Sequence, residues 1–420
     1  MQYGLIGEHL SHSYSREIHE QIAGYSYELK ELEPSQLPDF LKAKDFRAIN
    51  VTIPYKQDVI PFLDEIDEQA RRIGAVNTIV NRNGKLFGYN TDFSGMRALI
   101  EKLGLELKNK KILILGTGGT SKTAHAVAES LGAGEILHVS RNPNAFSEED
   151  ERIITYKEAE SFHRNAQIII NTTPCGMFPK TEGTPICLEV FPELEGVIDA
   201  VYNPLRTNLI LDAQESGLAA EGGLYMLAAQ AVFACGHFLD REVSEISSEE
   251  IDRAFQNVRN QKRNIVLCGM PSCGKTTVSS LLGRKRGAKV IDTDEEFVKR
   301  TGMEIAEFSK KNGEEAFRDI ESEIVKEVSL KSGVIIATGG GAVLRKENVR
   351  ALKQNGILVF IDRPLSLLTA TLDRPFSATP EALKQRFDER YEIYCGVCDL
   401  RVDGALKPEK VAESVIEKLQ

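Results

Sequence analysis

The stretch NIVLCGMPSCGKTT, residues 264–277, reads as an apolar strand, a glycine-bounded loop and the opening of a helix. Residues 269–276 fit GxxxxGK[ST]. In such a loop the backbone N–H groups wrap phosphates, the lysine reaches the outer phosphates and the threonine hydroxyl binds Mg2+. Gly269, Cys273, Gly274, Lys275, Thr276 and Thr277 are therefore the candidate nucleotide contacts. The strand–loop–helix order continues with AKVID (288–292), GVIIAT (333–338) and GILVFID (356–362). Strands alternating with helices predict a parallel sheet.

A different glycine loop lies upstream. GTGGTSKT (116–123) follows the apolar strand KKILILG (110–116) and opens the small-residue helix SKTAHAVAESLGA (121–133). Gly116 and Gly118 permit a tight turn and close approach to a pyrophosphate at a helix N-terminus. Gly119, Thr120 and Ser121 complete the candidate dinucleotide loop. Ser121 stands where the third glycine of GxGxxG would be, so the loop alone is equally a plain strand–helix turn. The next strand, EILHVS (135–140), ends in Ser140 and Arg141 with no acid. An acid there holds the ribose of NAD, whereas an arginine suits the 2′-phosphate of NADP. A solvated arginine is the alternative. AQIIINTTP (166–174) and GVIDAVYNP (196–204) are further strands, and GLYMLAAQAVFACGHFL (223–239) is a long apolar helix.

The 420 residues imply two or three domains at roughly 150 residues each. The polar, basic-ended helix SEISSEEIDRAFQNVRNQKRN (244–264) holds the expected boundary, near residues 258–263. Hydrophobic residues make up 42% and charged residues 27%, the balance of a folded globular chain. A net charge of −10 argues against a nucleic-acid scaffold. There is no signal-peptide pattern and no apolar run long enough for a membrane span. Seven cysteines without paired spacing fit a reducing cytoplasm. Cys395 and Cys398 form CxxC without the second pair that a structural zinc wants, and read as two small residues of a C-terminal helix.

NVTIPYK (50–56) puts Asn50, Thr52 and Lys56 near a strand end, where Lys56 can give a proton to a carbonyl oxygen. By itself such a lysine is ordinarily a surface residue. GAVNT (74–78) and GYNTDFSG (88–95) place Asn77 and Asp92 among small residues and turns. With HSYS (12–15), NTTPCGM (171–177) and GLYMLAAQA (223–231), these motifs occur in the order seen in shikimate dehydrogenases, which residues 1–258 resemble. The resemblance implies reduction of 3-dehydroshikimate by NADPH. It makes Lys56 and Asp92 the catalytic pair, Ser13 and Ser15 ligands of the carboxylate, and Thr52, Asn77, Tyr202 and Gln230 further substrate ligands. It makes Arg141 the NADP arginine, although Asn142 replaces a threonine of the family pattern.

In the second half, VIDTDEEF (290–297) offers Asp292 for Mg2+ and Asp294 for a substrate hydroxyl. GEEAFRDIE (313–321) carries Arg318, ATGGGAV (337–343) is a second glycine run, LDRPFSATP (372–380) reads as a lid with Arg374, and ERYEIY (389–394) adds Arg390. Two arginines besides the lid suggest an anionic substrate, most simply a carboxylate. Residues 262–420 resemble shikimate kinases. The resemblance implies shikimate contacts from Asp294, Arg318, Gly340, Gly341 and Arg390, with Arg374 closing over ATP and Asp292 and Thr276 serving the metal. Ser272 replaces a frequent glycine of that loop.

The expected architecture is α/β throughout. Residues 1–95 with 224–258 form a substrate domain, 96–223 a Rossmann NADP domain and 262–420 a P-loop kinase domain with a parallel sheet. The expected activity is two consecutive steps of the shikimate pathway. The expected partners are small molecules, with no nucleic acid and no membrane. Quinate as the first substrate is one alternative, and a non-catalytic ligand sensor is another. The presence of Lys56, Asp92, Lys275 and Asp294 speaks against the sensor.

Overall fold

In a computed structural model of the chain, residues 1–10, 13–142, 153–369 and 379–419 are described. The chain divides into two compact units, Met1–Arg259 and Asn260–Gln420. The division falls inside the helix Ser248–Lys262.

The first unit holds two sheets. Its N-terminal sheet orders the strands Glu28–Glu31, Tyr3–Gly7, Ala48–Val51, Thr78–Arg82, Lys85–Tyr89 and Glu65–Ile66. The first three run parallel, but Thr78–Arg82 pairs antiparallel with both of its neighbours. The hairpin Thr78–Tyr89 is absent from the sequence reading above. Its turn is Asn83–Gly84, with φ +55 and +86, the left-handed pair that joins two strands in register. The second sheet is wholly parallel, in the order Ala219–Glu221, Gly196–Asp199, Ile168–Asn171, Lys111–Leu115, Glu135–Ser140, Ile153–Thr155. Ile112 to Leu115 are all fully buried, as an apolar strand covered on both faces must be. Each such side chain contributes about 1.5–3 kcal/mol through burial. Strand order reverses at Lys111–Leu115, and the carboxyl ends there open the crevice in which α/β sheets bind ligands. The helix Thr91–Lys102 runs through the expected division between residues 95 and 96 and packs on Gly223–Phe238 in the same core.

The second unit has one parallel sheet, ordered Val290–Asp292, Ile335–Ala337, Asn264–Cys268, Gly356–Asp362, Leu400–Asp403. Asn264–Cys268 is central and buried along its whole length, so its carboxyl end feeds the phosphate loop from the middle of the sheet. Among the described residues no helix is long and apolar enough to cross a membrane.

Candidate active sites

The first site is a cleft of about 320 Å³ in the Met1–Arg259 unit. Its walls bring together Ser13, Ser15, Thr52, Lys56, Asn77, Asp92, Tyr202 and Gln230, every substrate or catalytic residue expected in this half. Lys56 follows Tyr55, which is buried and donates to Leu32 O. Asp92 lies in the first turn of Thr91–Lys102. Asn90 caps that helix by accepting from Phe93 N at 3.2 Å, and its amide donates to Ala75 O at 2.9 Å. The helix start is thereby pinned. Lys56 Nζ donates to Asp92 Oδ2 at 2.5 Å, with the two side chains 25% and 16% exposed. The ammonium is held by one carboxylate oxygen and retains donors for a ligand.

Ser13 Oγ donates to Ser15 Oγ at 3.1 Å, so the two hydroxyls form a pair suited to an anion's oxygens. Tyr202 stands edge-on to Tyr14 at 5.4 Å. Burial, then the neighbouring Tyr14, pushes the Tyr202 hydroxyl up to about 12, which keeps it a neutral donor at physiological pH. Gln230 is 7% exposed and donates to Leu227 O at 3.0 Å.

The glycine loop lies in a neighbouring groove of the same unit, together with Ser140, Arg141 and Asn142. Gly116 has φ +107, and a Cβ on it would come within 2.8 Å of Thr172 Oγ1, so this turn requires glycine. Around Gly118 and Gly119 there is open space where a Cβ would go, the room a pyrophosphate needs at the start of helix Gly119–Ser130. The residues therefore fit NADPH. Two expected contacts are placed differently. Thr120 lines the substrate cleft rather than the glycine groove. Ser121 is 1% exposed and its hydroxyl donates to Gly118 O at 2.9 Å, so its side chain closes the helix's first turn.

In the second unit, Gly274, Lys275, Thr276 and Thr277 share a pocket with Asp292, Asp294 and Gly340. Lys275 is 8% exposed and donates to Gly269 O at 2.9 Å and Met270 O at 3.1 Å. Asp292 caps helix Thr293–Thr301 through Asp294 N at 3.0 Å. Its other oxygen accepts from Thr276 Oγ1 at 3.1 Å. A hydroxyl and a carboxylate this close fit Mg2+, which takes hard oxygen ligands and few of them from protein. Cys273 departs from expectation. Its N–H is spent on Met270 O at 3.2 Å and its thiol is buried in the core, so neither faces the pocket. Ser272, at φ +63, shows why glycine is common there, and its hydroxyl donates to Thr369 O at 2.9 Å. Arg374 lies outside the described residues. Cys395 ends in the last turn of helix Pro380–Val397 and Cys398 follows it directly.

Arg318 is held by three neighbouring side chains. It stacks on Phe317 at 4.8 Å and donates to Glu321 at 2.6 Å and Glu314 at 3.2 Å. A Cβ on Gly341 would lie within 2.2–2.4 Å of its guanidinium, so the glycine run is what lets Arg318 reach the backbone. Glu321, inside the quoted GEEAFRDIE, received no role from the sequence. It is 3% exposed, burial raises its carboxyl, and its Oε1 has no hydrogen-bond partner. Arg390 is 5% exposed, bonds the Tyr394 hydroxyl and lies in electrostatic reach of Glu321. Tyr394 in turn donates to Gly340 O, tying the arginine helix to the glycine run.

One unit thus has the groups of a nicotinamide-dependent carbonyl reductase acting on a polyhydroxy acid, and the other those of a P-loop phosphotransferase. The model of the shikimate dehydrogenase substrate binding domain matches residues 5–79, and that of shikimate kinase matches residues 271–420. The chain is 38% identical over 244 residues to the NADP(+) shikimate dehydrogenase of Clostridium beijerinckii, covering 55% of this chain and 89% of the relative. It is 40% identical over 248 residues to that of Geobacillus kaustophilus, covering 55% and 90%. A crystal structure of a chorismate mutase/shikimate 5-dehydrogenase fusion protein from Clostridium acetobutylicum superposes with a TM-score of 0.56 at 36% identity, over 61% of this chain and 96% of that one. Shikimate 5-dehydrogenase from Thermus thermophilus, solved with NADP(H) and shikimate, gives 0.54 at 30% identity, over 61% and 99%. The chain belongs to the shikimate dehydrogenase family, and it continues into a shikimate kinase domain. It is a bifunctional enzyme of the shikimate pathway.

Proposed function

We propose that the first unit reduces 3-dehydroshikimate to shikimate with NADPH, and that the second transfers a phosphoryl group from ATP to shikimate with Mg2+. The observation that carries the first step is the Lys56–Asp92 pair at 2.5 Å in the wall of the cleft. Ser13 and Ser15 hold the substrate carboxylate, and Thr52, Asn77, Tyr202 and Gln230 hold its carboxylate and ring hydroxyls. Bound NADPH, held by residues 116–119 and 140–141, supplies hydride. Lys56 places its proton at the carbonyl oxygen, where negative charge develops. Asp92 fixes the ammonium against that oxygen. Proton transfer of this kind contributes roughly 10²–10⁴ in rate.

In the second step Asp294 takes the proton of the attacking shikimate hydroxyl. Arg318 and Arg390 grip the carboxylate, with Gly340 and Gly341 closing against the ring. Lys275 turns its charge from the loop carbonyls toward the transferring phosphoryl group, and Arg374 adds a second cation. Thr276 and Asp292 hold the metal. We assign residues 1–95 with 224–258 to substrate, 96–223 to NADP and 262–420 to the kinase, all acting on small molecules in the cytoplasm.

The experiment assays the purified chain for reduction of 3-dehydroshikimate with NADPH and NADH and for oxidation of shikimate and of quinate with NADP+ and NAD+, following ADP release in parallel when ATP and shikimate are present. Reduction of 3-dehydroshikimate and phosphorylation of shikimate are expected. Turnover of quinate in preference to shikimate would overturn the substrate, and a folded chain inactive in both assays would point to a sensor.

A further inference from the structure

Behind the dehydrogenase cleft runs a buried hydrogen-bond relay that none of the steps above uses. It begins at Tyr27, 1% exposed, whose ring stacks on His19 at 4.2 Å. The Tyr27 hydroxyl donates to Asn50 Oδ1 at 2.7 Å. Asn50, 4% exposed on strand Ala48–Val51, has its amide hydrogens on Asn77 O at 3.2 Å and Thr78 Oγ1 at 3.0 Å. Thr78, fully buried, donates to Asn77 Oδ1 at 3.0 Å. That same oxygen accepts from Thr91 N at 2.7 Å.

Donor and acceptor chemistry fixes the sense of the relay as far as the Thr78 hydroxyl, whose proton has Asn77 Oδ1 at 3.0 Å and Thr91 Oγ1 at 3.1 Å. Asn50 Oδ1 can only accept, so Tyr27 must donate. The Asn50 amide must then point at Thr78, whose oxygen is occupied as an acceptor and whose proton goes onward. Asn77 Oδ1 is surrounded by donors, from Thr78 Oγ1, from Thr91 N and, at 3.2 Å, from Thr91 Oγ1, so the group Asn77 offers to the cleft is its NH2. Asn50 cannot turn over, because its oxygen would then face Asn77 O; were Tyr27 unable to donate, Asn50 Oδ1 would lose this buried partner and the carboxamide would shift toward another donor. That shift loosens the Asn50 bonds to Asn77 O and Thr78 Oγ1 and frees the Thr78 proton to turn to Thr91 Oγ1, 3.1 Å away, so the Asn77 carboxamide loses one of the bonds that set its orientation.

We propose that Tyr27 is a positioning residue of the reduction: acting through Asn50 and Thr78, it holds the Asn77 carboxamide as a donor toward an oxygen of the bound hydroxy acid. The proposal rests on the reading of this cleft as the dehydrogenase site. It gives His19 a part as well. Burial lowers that imidazole to about 3, so a neutral ring supports the tyrosine at any physiological pH.

The test is a double-mutant cycle in the full chain. Tyr27→Phe should lower kcat/KM for 3-dehydroshikimate about five- to tenfold, the size of one hydrogen bond, with the KM for NADPH unchanged. In an Asn77→Ala background the same change should have no further effect, because its target is gone. Thr78→Val breaks the relay at its next link and should give the same loss and the same non-additivity, which keeps the test open should Tyr27→Phe fail to fold. A wild-type kcat/KM in a folded Tyr27→Phe chain, or an equal loss in both backgrounds, would overturn the relay. Absence of reduction by the unmodified chain would instead overturn the reading of the cleft.

Discussion

The two nucleotide loops sit at equivalent places in their sheets and are built for different work. Residues 116–121 carry no charged side chain, and the nearest expected cation, Arg141, stands at the end of the next strand. Residues 269–276 end in Lys275 and Thr276, with Asp292 hydrogen-bonded to Thr276 at 3.1 Å. The difference follows from what each nucleotide does. The phosphates of a dinucleotide are a handle, and open backbone at Gly118 and Gly119 suffices to grip them. The outer phosphate of ATP is the reacting group, so its loop needs a mobile charge and a metal ligand. In the first unit the side chains proposed to react, Lys56 and Asp92, stand apart from the glycine groove. In the second, Lys275, Asp292 and Asp294 share one pocket with the loop.

Substitutions can break this contrast, and the largest effects belong to the reacting groups. Lys56→Ala should lower turnover of 3-dehydroshikimate by roughly 10²–10⁴, read as NADPH oxidation. NADPH affinity, followed by fluorescence titration, should stay near normal, because the glycine groove is elsewhere. Lys275→Ala removes the charge proposed to meet the transferring phosphoryl group and should cost about 10²–10³ in ADP release. Binding groups should matter less. Gly341→Ala puts a methyl group against the Arg318 guanidinium, and the KM for shikimate in the kinase assay should rise about tenfold, by loss of a charge-assisted contact. Arg141→Ala should have the smallest effect, weakening NADPH about five- to tenfold while leaving NADH use unchanged. Equal use of NADPH and NADH by the unmodified chain would remove Arg141 from the account.

The parts that were legible in the sequence are those written locally. Strand Glu135–Ser140 was readable to the residue, because an apolar stretch bounded by turns leaves little choice. The phosphate loop was readable from spacing alone. Lys56 and Asp92 are 36 positions apart, and only the family resemblance joined them before the structure did. The antiparallel hairpin Thr78–Tyr89 was missed although Asn83–Gly84 announced it, because the surrounding motifs read as turns. Ser121 and Cys273 show a second limit. A small side chain in a glycine loop faces ligand or core according to a single rotation, and both face inward here. The Arg318–Glu321 clamp and the Tyr27 relay depend on which strands and helices become neighbours, which no spacing in the chain encodes.

The central claim is that one chain carries two chemically separate sites joined by a diffusible product. The most direct measurement follows NADPH loss and ADP release together, starting from 3-dehydroshikimate and ATP, in the unmodified chain, in Lys56→Ala, in Lys275→Ala and in an equal mixture of the two variants. Lys275→Ala should oxidise NADPH without releasing ADP. Lys56→Ala should release ADP only when shikimate itself is supplied. The mixture should recover both signals, because shikimate made by one molecule can be phosphorylated by another. A folded Lys275→Ala chain that also lost its dehydrogenase activity, or a mixture that recovered nothing, would contradict the account.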